Sequence, residues 1–427
     1  MTRVVPILAL LGGCQEPGNK PDQNQDPTGI AECAPGTNPY VVECTITLDS
    51  PGSAEVVLAS EGSPSRTFRS EDSAIEHALV AWGLRAKTTY TWSAVGDSAE
   101  VTTGDTPFAL QNADISASGE LSGIDGVMVY LSCGFFAIID GEGEIIGAVP
   151  SVAYDAFMDG MRWSQADHSF LAASDARMMG FDDSRMVELH ISGKELMRLD
   201  SDDLKLSALT HDLDRWGPYT YLLGLDDNDA EGFEVWQGDV HRGTYLLKAD
   251  FALEDSWVNG LSVADDGQVI LSERNSNTII SVDGDPDSAG FLTVNWHAAG
   301  VTGTGLFNPD FSPVGPDLYE SQHHASLYGD DLWVFDNDSR ASSRAVRISM
   351  DAQSGALTET GSWSVGQVCE NQGGAFPVPG GALVTCANSG DVFLFSEGDS
   401  TPLWQLNASC GGLSYSRSTR AYPVVVE

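Results

Sequence analysis

The chain has 427 residues, enough for two or three domains with a large core. It carries 21 Lys+Arg against 62 Asp+Glu, a formal net charge of −41, which argues against nucleic acid as a partner, because affinity for phosphate backbones needs clustered cations. The acidity runs along the whole chain; it suits solubility in salty surroundings or around divalent cations and specifies no partner by itself.

Thr2-Arg3 is a minimal positive region, and residues 4–11 form an apolar stretch too short to span a bilayer. It ends in Leu11-Gly12-Gly13-Cys14, which resembles a bacterial lipobox. Residues 1–14 are therefore expected to be a lipoprotein signal peptide with Cys14 lipidated; a plain secretory signal is the competing reading. The chain is expected to be exported and lipid-anchored in the bacterial cell envelope, at the outer membrane or periplasmic face, touching the membrane only through that anchor. Residues 15–32 are polar and proline-rich, as a disordered tether should be.

Without Cys14, six cysteines remain, at 33, 44, 133, 369, 386 and 410. An even set in an exported chain suggests disulfides, and no spacing resembles a zinc site. Fifteen pairings are open. Cys33 with Cys44 and Cys369 with Cys386 are near neighbours in sequence, which leaves Cys133 for Cys410.

Residues 33–106 read as a small β domain, with strands at 41–48, 54–59 and 88–95. Leu84 followed by Tyr90 and Trp92 looks like the late strand of a fibronectin type III or similar sandwich. Residues 107–123 read as a linker. From residue 124 to 427, short β runs alternate with Asp-Gly, Gly-Asp-Asp and Pro-Gly-Gly turns; residues 153–158 are the best short helical candidate. Many short strands mean a sandwich, barrel or propeller, and spacing separates these. His211 and Asn259 are 48 residues apart, Arg274 and His323 49. Periods of roughly 40–50 residues belong to propeller blades. The expected fold is all-β: a six-bladed β-propeller over 124–427, preceded by the small fibronectin type III-like sandwich. Inner strands of successive blades would bring distant polar residues to one axial mouth.

Two histidines, His323 and His324, open a strand that turns at Gly329-Asp330-Asp331 and returns into Asp336-Asn337, with Arg344 just beyond. Imidazole is nucleophilic at neutral pH and also moves protons, although a His-His pair at a strand end is also consistent with a solvent-facing surface. Three further segments share this grammar of a polar cluster before a strand: Thr210-His211-Asp212-Leu213-Asp214, Trp257-Val258-Asn259-Gly260 and Ser272-Glu273-Arg274-Asn275. Each has a plainer reading: His211 as a structural histidine, Asn259-Gly260 as a turn pair, Arg274 as the partner of Glu273.

Together these segments resemble the bacterial arylsulfate sulfotransferase family, closely over residues 200–427 and loosely before that. The resemblance implies an exported propeller that moves a sulfuryl group from a phenolic sulfate ester to a phenol, without a nucleotide donor. It implies that His323 takes the group covalently, that His211 assists the leaving and attacking phenols, and that Asn259 and Arg274 hold the sulfate oxygens. Trp257, His324 and Arg344 would complete the substrate pocket. One position departs from the family, which has a histidine where this chain has Trp257; an indole donates one hydrogen bond and shuttles no proton. His297 is a spatial substitute to look for. The alternative function is a non-catalytic envelope propeller that binds a ligand or protein partner, and Trp257 favours it.

Asp226-Asp227-Asn228-Asp229 and Asp283-Gly284-Asp285-Pro286-Asp287 space oxygen ligands as Ca²⁺ sites do, but lack the downstream Gly and Glu of an EF-hand loop and serve equally as solvated turns. No other cofactor is expected.

Overall fold

A computed structural model describes residues 28–151, 158–174, 184–251, 256–299, 310–313, 318–338, 340–351, 353–387, 389–410 and 420–426. The signal segment with Cys14, most of the expected tether and the helical candidate up to residue 157 lie outside the described residues; residue 158 already belongs to a strand. The described residues contain strands and two short 3-10 turns but no α-helix.

The first seven strands are β1 (Gly29–Pro35), β2 (Val42–Gly52), β3 (Glu55–Ser60), β4 (Ser63–Arg69), β5 (Ala74–Ala81), β6 (Thr89–Ala94) and β7 (Asp97–Thr102). They form two antiparallel sheets, ordered β1-β2-β5 and β4-β3-β6-β7. In β2 the residues Val42, Cys44, Ile46 and Leu48 are buried and those between them exposed, the period-two pattern of a strand with one wet face. They share a core with Val56, Leu58, Tyr90 and Trp92 of the second sheet. Cys33 and Cys44 face each other across β1 and β2 and are bonded. The first described strand, β1, starts at Gly29.

This domain is seated on the rest of the chain. Asn38 Nδ2 donates to the carbonyls of Ala148 and Ile191, both at 2.7 Å, and the Trp82 ring lies 5.5 Å from that of Trp163. Residues 107–123 are more than a linker, because β8 (Ala113–Gly119) lies within them.

The remaining strands fall into sheets in chain order. β9 (Gly126–Leu131), β10 (Phe135–Asp140) and β11 (Ile145–Pro150) begin the series. Next come β12 (Met158–Ser164), β13 (Ser169–Ser174), β14 (Arg185–His190) and β15 (Glu195–Asp200), then β16 (Ala208–Trp216), β17 (Tyr219–Leu225), β18 (Glu231–Gln237) and β19 (Val240–Leu246). β20 (Val258–Val263), β21 (Gln268–Glu273), β22 (Thr278–Asp283) and β23 (Val294–Ala299) follow. β24 (Asp310–Pro313) bridges β23 to the outer edge of the next group: β25 (His323–Tyr328), β26 (Asp331–Asp336), β27 (Arg344–Asp351) and β28 (Ala356–Ser364). The last are β29 (Gly374–Val378), β30 (Gly381–Cys386), β31 (Asp391–Ser396), β32 (Pro402–Cys410) and β33 (Tyr422–Val424).

Within each group the strands pair consecutively outward. The innermost strands form a closed ring of neighbours, with β33 supplying the inner edge of the β9–β11 sheet: β12 touches β16, β16 touches β20, β20 touches β25, β25 touches β29, β29 touches β33, and β33 touches β12. This is a β-propeller architecture. Middle strands such as β10, β17 and β30 are buried at every residue, because sheets stacked around a ring cover both of their faces. Such strands read as continuous apolar runs rather than alternating ones.

Both ends of the chain close the ring. β33 pairs with β9, and β8 adds to the outer edge of β32. Cys133 and Cys410 are bonded across 277 residues. Cys369 and Cys386 are bonded across 17, so all three disulfides pair as the sequence suggested.

Candidate functional site

The candidate residues sit where the ring's first strands begin, and each of these strands starts irregularly. Register breaks occur between Leu209 and Leu213 in β16, Val258 and Gly260 in β20, and His323 and Ala325 in β25. The first two breaks enclose His211 and Asn259, and the third encloses His324. Positive φ angles at His211 (44°), Ser321 (51°) and His324 (45°) accompany them. Bulges re-aim side chains, and left-handed backbone in non-glycine residues persists only where its surroundings enforce it. The repeated sequence grammar thus corresponds to a repeated backbone device.

His323 is buried, at 7% exposure. Its Nδ1 lies 2.9 Å from Asn337 Oδ1, and the Gln372 backbone N–H donates to its Nε2 at 3.1 Å. Burial pushes its pKa down to about 3, against the Asn337 hydrogen bond and with added positive potential from His211, Arg274 and Arg420. His323 is therefore a neutral imidazole at physiological pH. His324 points elsewhere. It is fully buried, packs at 4.3 Å on the Phe376 ring and accepts the Ala375 N–H at Nδ1, 3.3 Å. Burial holds it neutral too, reinforced by Arg420 and Arg162.

The other members of the set approach His323 through short links. Asn259 Nδ2 donates to the carbonyl of Gln322 at 2.7 Å, and Gln322 Nε2 donates to the carbonyl of Glu273 at 2.8 Å. The Arg274 N–H donates to the Trp257 carbonyl at 2.9 Å. Glu273 does not pair with Arg274: its carboxylate accepts the N–H groups of Trp257 (2.8 Å) and Ser276 (2.7 Å). Arg274 makes no ion pair among the described residues. The rings of His211 and Trp257 lie 5.5 Å apart. His211, Trp257, Asn259, Arg274 and His323 thus lie in one neighbourhood.

Arg344 does not join them. Its guanidinium donates to Asp336 (2.8 Å), Glu359 (2.9 Å), Ser362 (2.9 Å) and the Leu318 carbonyl (2.8 Å), and it is buried. Every nitrogen is engaged, so it braces β26, β27 and β28 instead of facing a substrate. His297 gives no substitute for the missing family histidine: it lies on the outer strand β23, opposite Ile280, against Phe251. In the acidic runs, Asp226 Oδ1 accepts the N–H groups of Asn228 and Ala230, both at 2.8 Å, and Asp283 accepts from the Asp285 N–H and the Ser288 hydroxyl. Their oxygens close their own turns. Among the described residues no cluster of three His, Cys, Asp or Glu is placed to hold a metal ion.

Three site residues receive no role from the sequence: Asn337 enters only as part of the His323 motif, and Gln372 and Arg420 do not enter at all. Asn337 and Gln372 hold His323 directly, and Arg420 enters from the segment before β33. Arg420 pairs with Asp212, and its Nη2 lies 3.4 Å from the Asn259 carbonyl. Asp212 and Asp214 have a task of their own. They accept the N–H groups of Leu261 (2.6 Å) and Val263 (2.8 Å) on the neighbouring first strand, while Arg162 pairs with Asp214 at 3.0 Å. The His-Asp-Leu-Asp motif is thus half active-site candidate and half inter-sheet clamp.

No family model and no curated protein matches this chain. Solved structures do resemble it. A periplasmic gluconolactonase of Pseudomonas aeruginosa aligns over 88% of this chain and 100% of its own, at 13% identity and a TM-score of 0.42. A protein of unknown function from Bacteroides caccae covers 70% of this chain and 99% of its own, at 10% identity and a TM-score of 0.41. The calcium-binding protein regucalcin of Agrobacterium tumefaciens covers 58% and 72%, at 15% identity and a TM-score of 0.34.

Proposed function

We propose that the chain is an arylsulfotransferase-like enzyme, moving a sulfuryl group from a phenolic sulfate ester to a phenol through a sulfo-histidine at His323. The observation that carries this reading is a neutral, buried imidazole at the start of β25, near the uncommitted guanidinium of Arg274 and a second imidazole, His211. Neutral His323 attacks sulfur in line as the aryl oxygen departs. A phenol has a pKa of about 10, so its anion leaves readily, and a proton from His211 assists. Arg274 and Asn259 meet the charge on the sulfuryl oxygens. An acceptor phenol, losing its proton to His211, then takes the group and restores His323. Positioning and charge stabilisation do most of the work, as in phosphoryl transfer. A local cationic spot matters here, because a net charge of −41 repels sulfate esters.

The same proposal includes six blades, supported by the six innermost strands of the ring. It includes a fibronectin type III-like leading domain, supported by its sheets of three and four strands. Export with a lipid on Cys14 remains part of the reading on the strength of the Leu-Gly-Gly-Cys sequence.

The test is release of 4-nitrophenol from its sulfate ester, with and without added phenol. Acceptor-dependent release by the wild type that vanishes in His323→Ala is the expected result. No release with any phenol would favour the second reading, a binding propeller with the same mouth. Two observations favour that reading: Trp257 stands where the family has a histidine, and the Gln372 N–H occupies His323 Nε2.

A further inference from the structure

We propose that Asn337, held by the disulfide-tethered loop 369–373, is a positioning residue that presents Nε2 of His323 as the attacking atom, and that the Gln372 N–H covers this atom until substrate displaces it. The inference rests on the sulfo-histidine reading and adds which nitrogen reacts and what sets it.

The argument starts from Asn337. Its Nδ2 lies 2.5 Å from the Cys369 carbonyl and 3.2 Å from the Gln372 carbonyl. Two carbonyls can only accept, so this atom is the amide nitrogen and the other is the oxygen; the flipped amide would set oxygen against oxygen. Asn337 Oδ1 therefore accepts from His323, whose Nδ1 must carry the hydrogen. A neutral imidazole protonated at Nδ1 has its lone pair at Nε2. The Gln372 N–H that donates to Nε2 agrees independently, because it requires an acceptor there. Two contacts on opposite sides of one ring thus specify one tautomer.

The loop is anchored at Cys369. Cys369 is bonded to Cys386 on β30, and the Cys369 N–H donates to Ser343 Oγ at 2.8 Å. Ser343 Oγ in turn donates to the Asn337 carbonyl at 2.9 Å. Gln372 has a φ of 57°. Gly373, at a φ of 134°, lies so close to the Phe335 ring that a Cβ would come within 2.3 Å of it, so this bend requires glycine. The loop holds Asn337 by two carbonyls and His323 by one amide.

In the transfer, the Nε2 lone pair forms the N–S bond as the S–O(aryl) bond breaks and its electron pair leaves with the phenolate, which takes a proton from His211. The Nδ1 hydrogen stays, so the intermediate is a sulfo-imidazolium, stabilised through Nδ1–H donating to Asn337 Oδ1. Return of the pair to Nε2 accompanies transfer to the acceptor. The Gln372 N–H must release the Nε2 lone pair before attack.

The test is ¹⁵N NMR of the full chain labelled at histidine, with the His323 signals identified by their loss in His323→Ala. The expected wild-type state is a protonated Nδ1 and an unprotonated Nε2. Asn337→Leu removes the acceptor and is expected to yield mixed tautomers and a kcat lowered about 10- to 100-fold, with KM little changed. Asn337→Asp retains an acceptor and is expected to keep the tautomer. A wild-type Nε2-protonated ring, or an unchanged tautomer in folded Asn337→Leu, would overturn the proposal. Should Asn337→Leu not fold, the wild-type tautomer alone decides. Transfer that survives His323→Ala would sink the sulfo-histidine reading instead and leaves the tautomer measurement standing, so the two failures are distinguishable.

Discussion

At the scale of single residues, two arginines of equal formal charge have opposite surroundings. Arg344 is buried with all its nitrogens bonded, one directly to the nearly inaccessible Asp336. Arg274 lies half-buried in a turn that its neighbour Glu273 holds by backbone N–H groups. Removing one partner of a buried pair leaves an uncompensated charge, at a cost of about 3–5 kcal/mol. Arg344→Ala is accordingly expected to lower the urea midpoint markedly. Arg274→Ala is expected to leave the midpoint nearly unchanged and to reduce kcat for aryl sulfate transfer about 100-fold. Measuring both quantities in both variants checks the assignment, and the reverse pattern would exchange their roles. His211, Asn259, Arg274 and His323 are legible in the sequence because each precedes a strand in the same local grammar. Arg344 shares that grammar and misleads, since whether a guanidinium is committed depends on Glu359 and Leu318, which adjacency in sequence does not reveal. Arg420 and Gln372 carry no signal: each reaches the mouth from a segment without periodicity.

At the scale of elements, β25 holds two adjacent buried imidazoles with separate partners. His323 has a pKa near 3 and His324 is depressed well below its ordinary 6.5. In the unfolded chain both regain ordinary values, so between pH 6.5 and about 3 the unfolded state binds more protons than the folded one. For His323, stability contributed by neutral burial is complete above pH 6.5 and is lost as pH falls toward about 3, by about 1.4 kcal/mol per pH unit; His324 acts in the same direction. The raised carboxyls of Asp212, Asp214 and Glu234, shifted mainly by burial, act in the opposite sense, so comparison with a variant is needed. His324→Phe keeps a ring against Phe376 and is expected to flatten the slope of unfolding free energy between pH 6.5 and 5 by one proton's worth. An unchanged slope would mean that His324 is protonated in the folded protein. The strands themselves are largely legible, β2 by strict alternation and β17, β21, β26 and β30 by short apolar runs between turns. Sequence reasoning gives three strands in the leading domain and misses β4, β5 and β7 there; it also misses β8, which reads as linker, because its partner β32 lies almost three hundred residues away and its own pattern is weak.

At the scale of the whole molecule, the ring has no intrinsic beginning, and the chain must join its ends to make one. It does so by β33 on β9, by β8 on β32, and by the bond from Cys133 to Cys410. The spacing of polar clusters implies a ring, but not how it closes, since closure depends on which distant edge each terminal segment finds. The two propeller disulfides divide the labour. A bond across 277 residues restricts the unfolded chain far more than one across 17. On the loop-entropy scale the two contribute about 5.6 and about 3 kcal/mol, and residual order in the unfolded chain lowers both figures. The short bond instead fixes the loop that touches His323 and Asn337. Replacing Cys133 and Cys410 together by serine should therefore lower the urea midpoint more than replacing Cys369 and Cys386. The short-loop pair should cost more in transfer rate at 25 °C, where both variants remain folded. If instead the long-range pair removes activity from folded protein while the short-range pair spares it, ring closure rather than the local loop governs the geometry of the mouth.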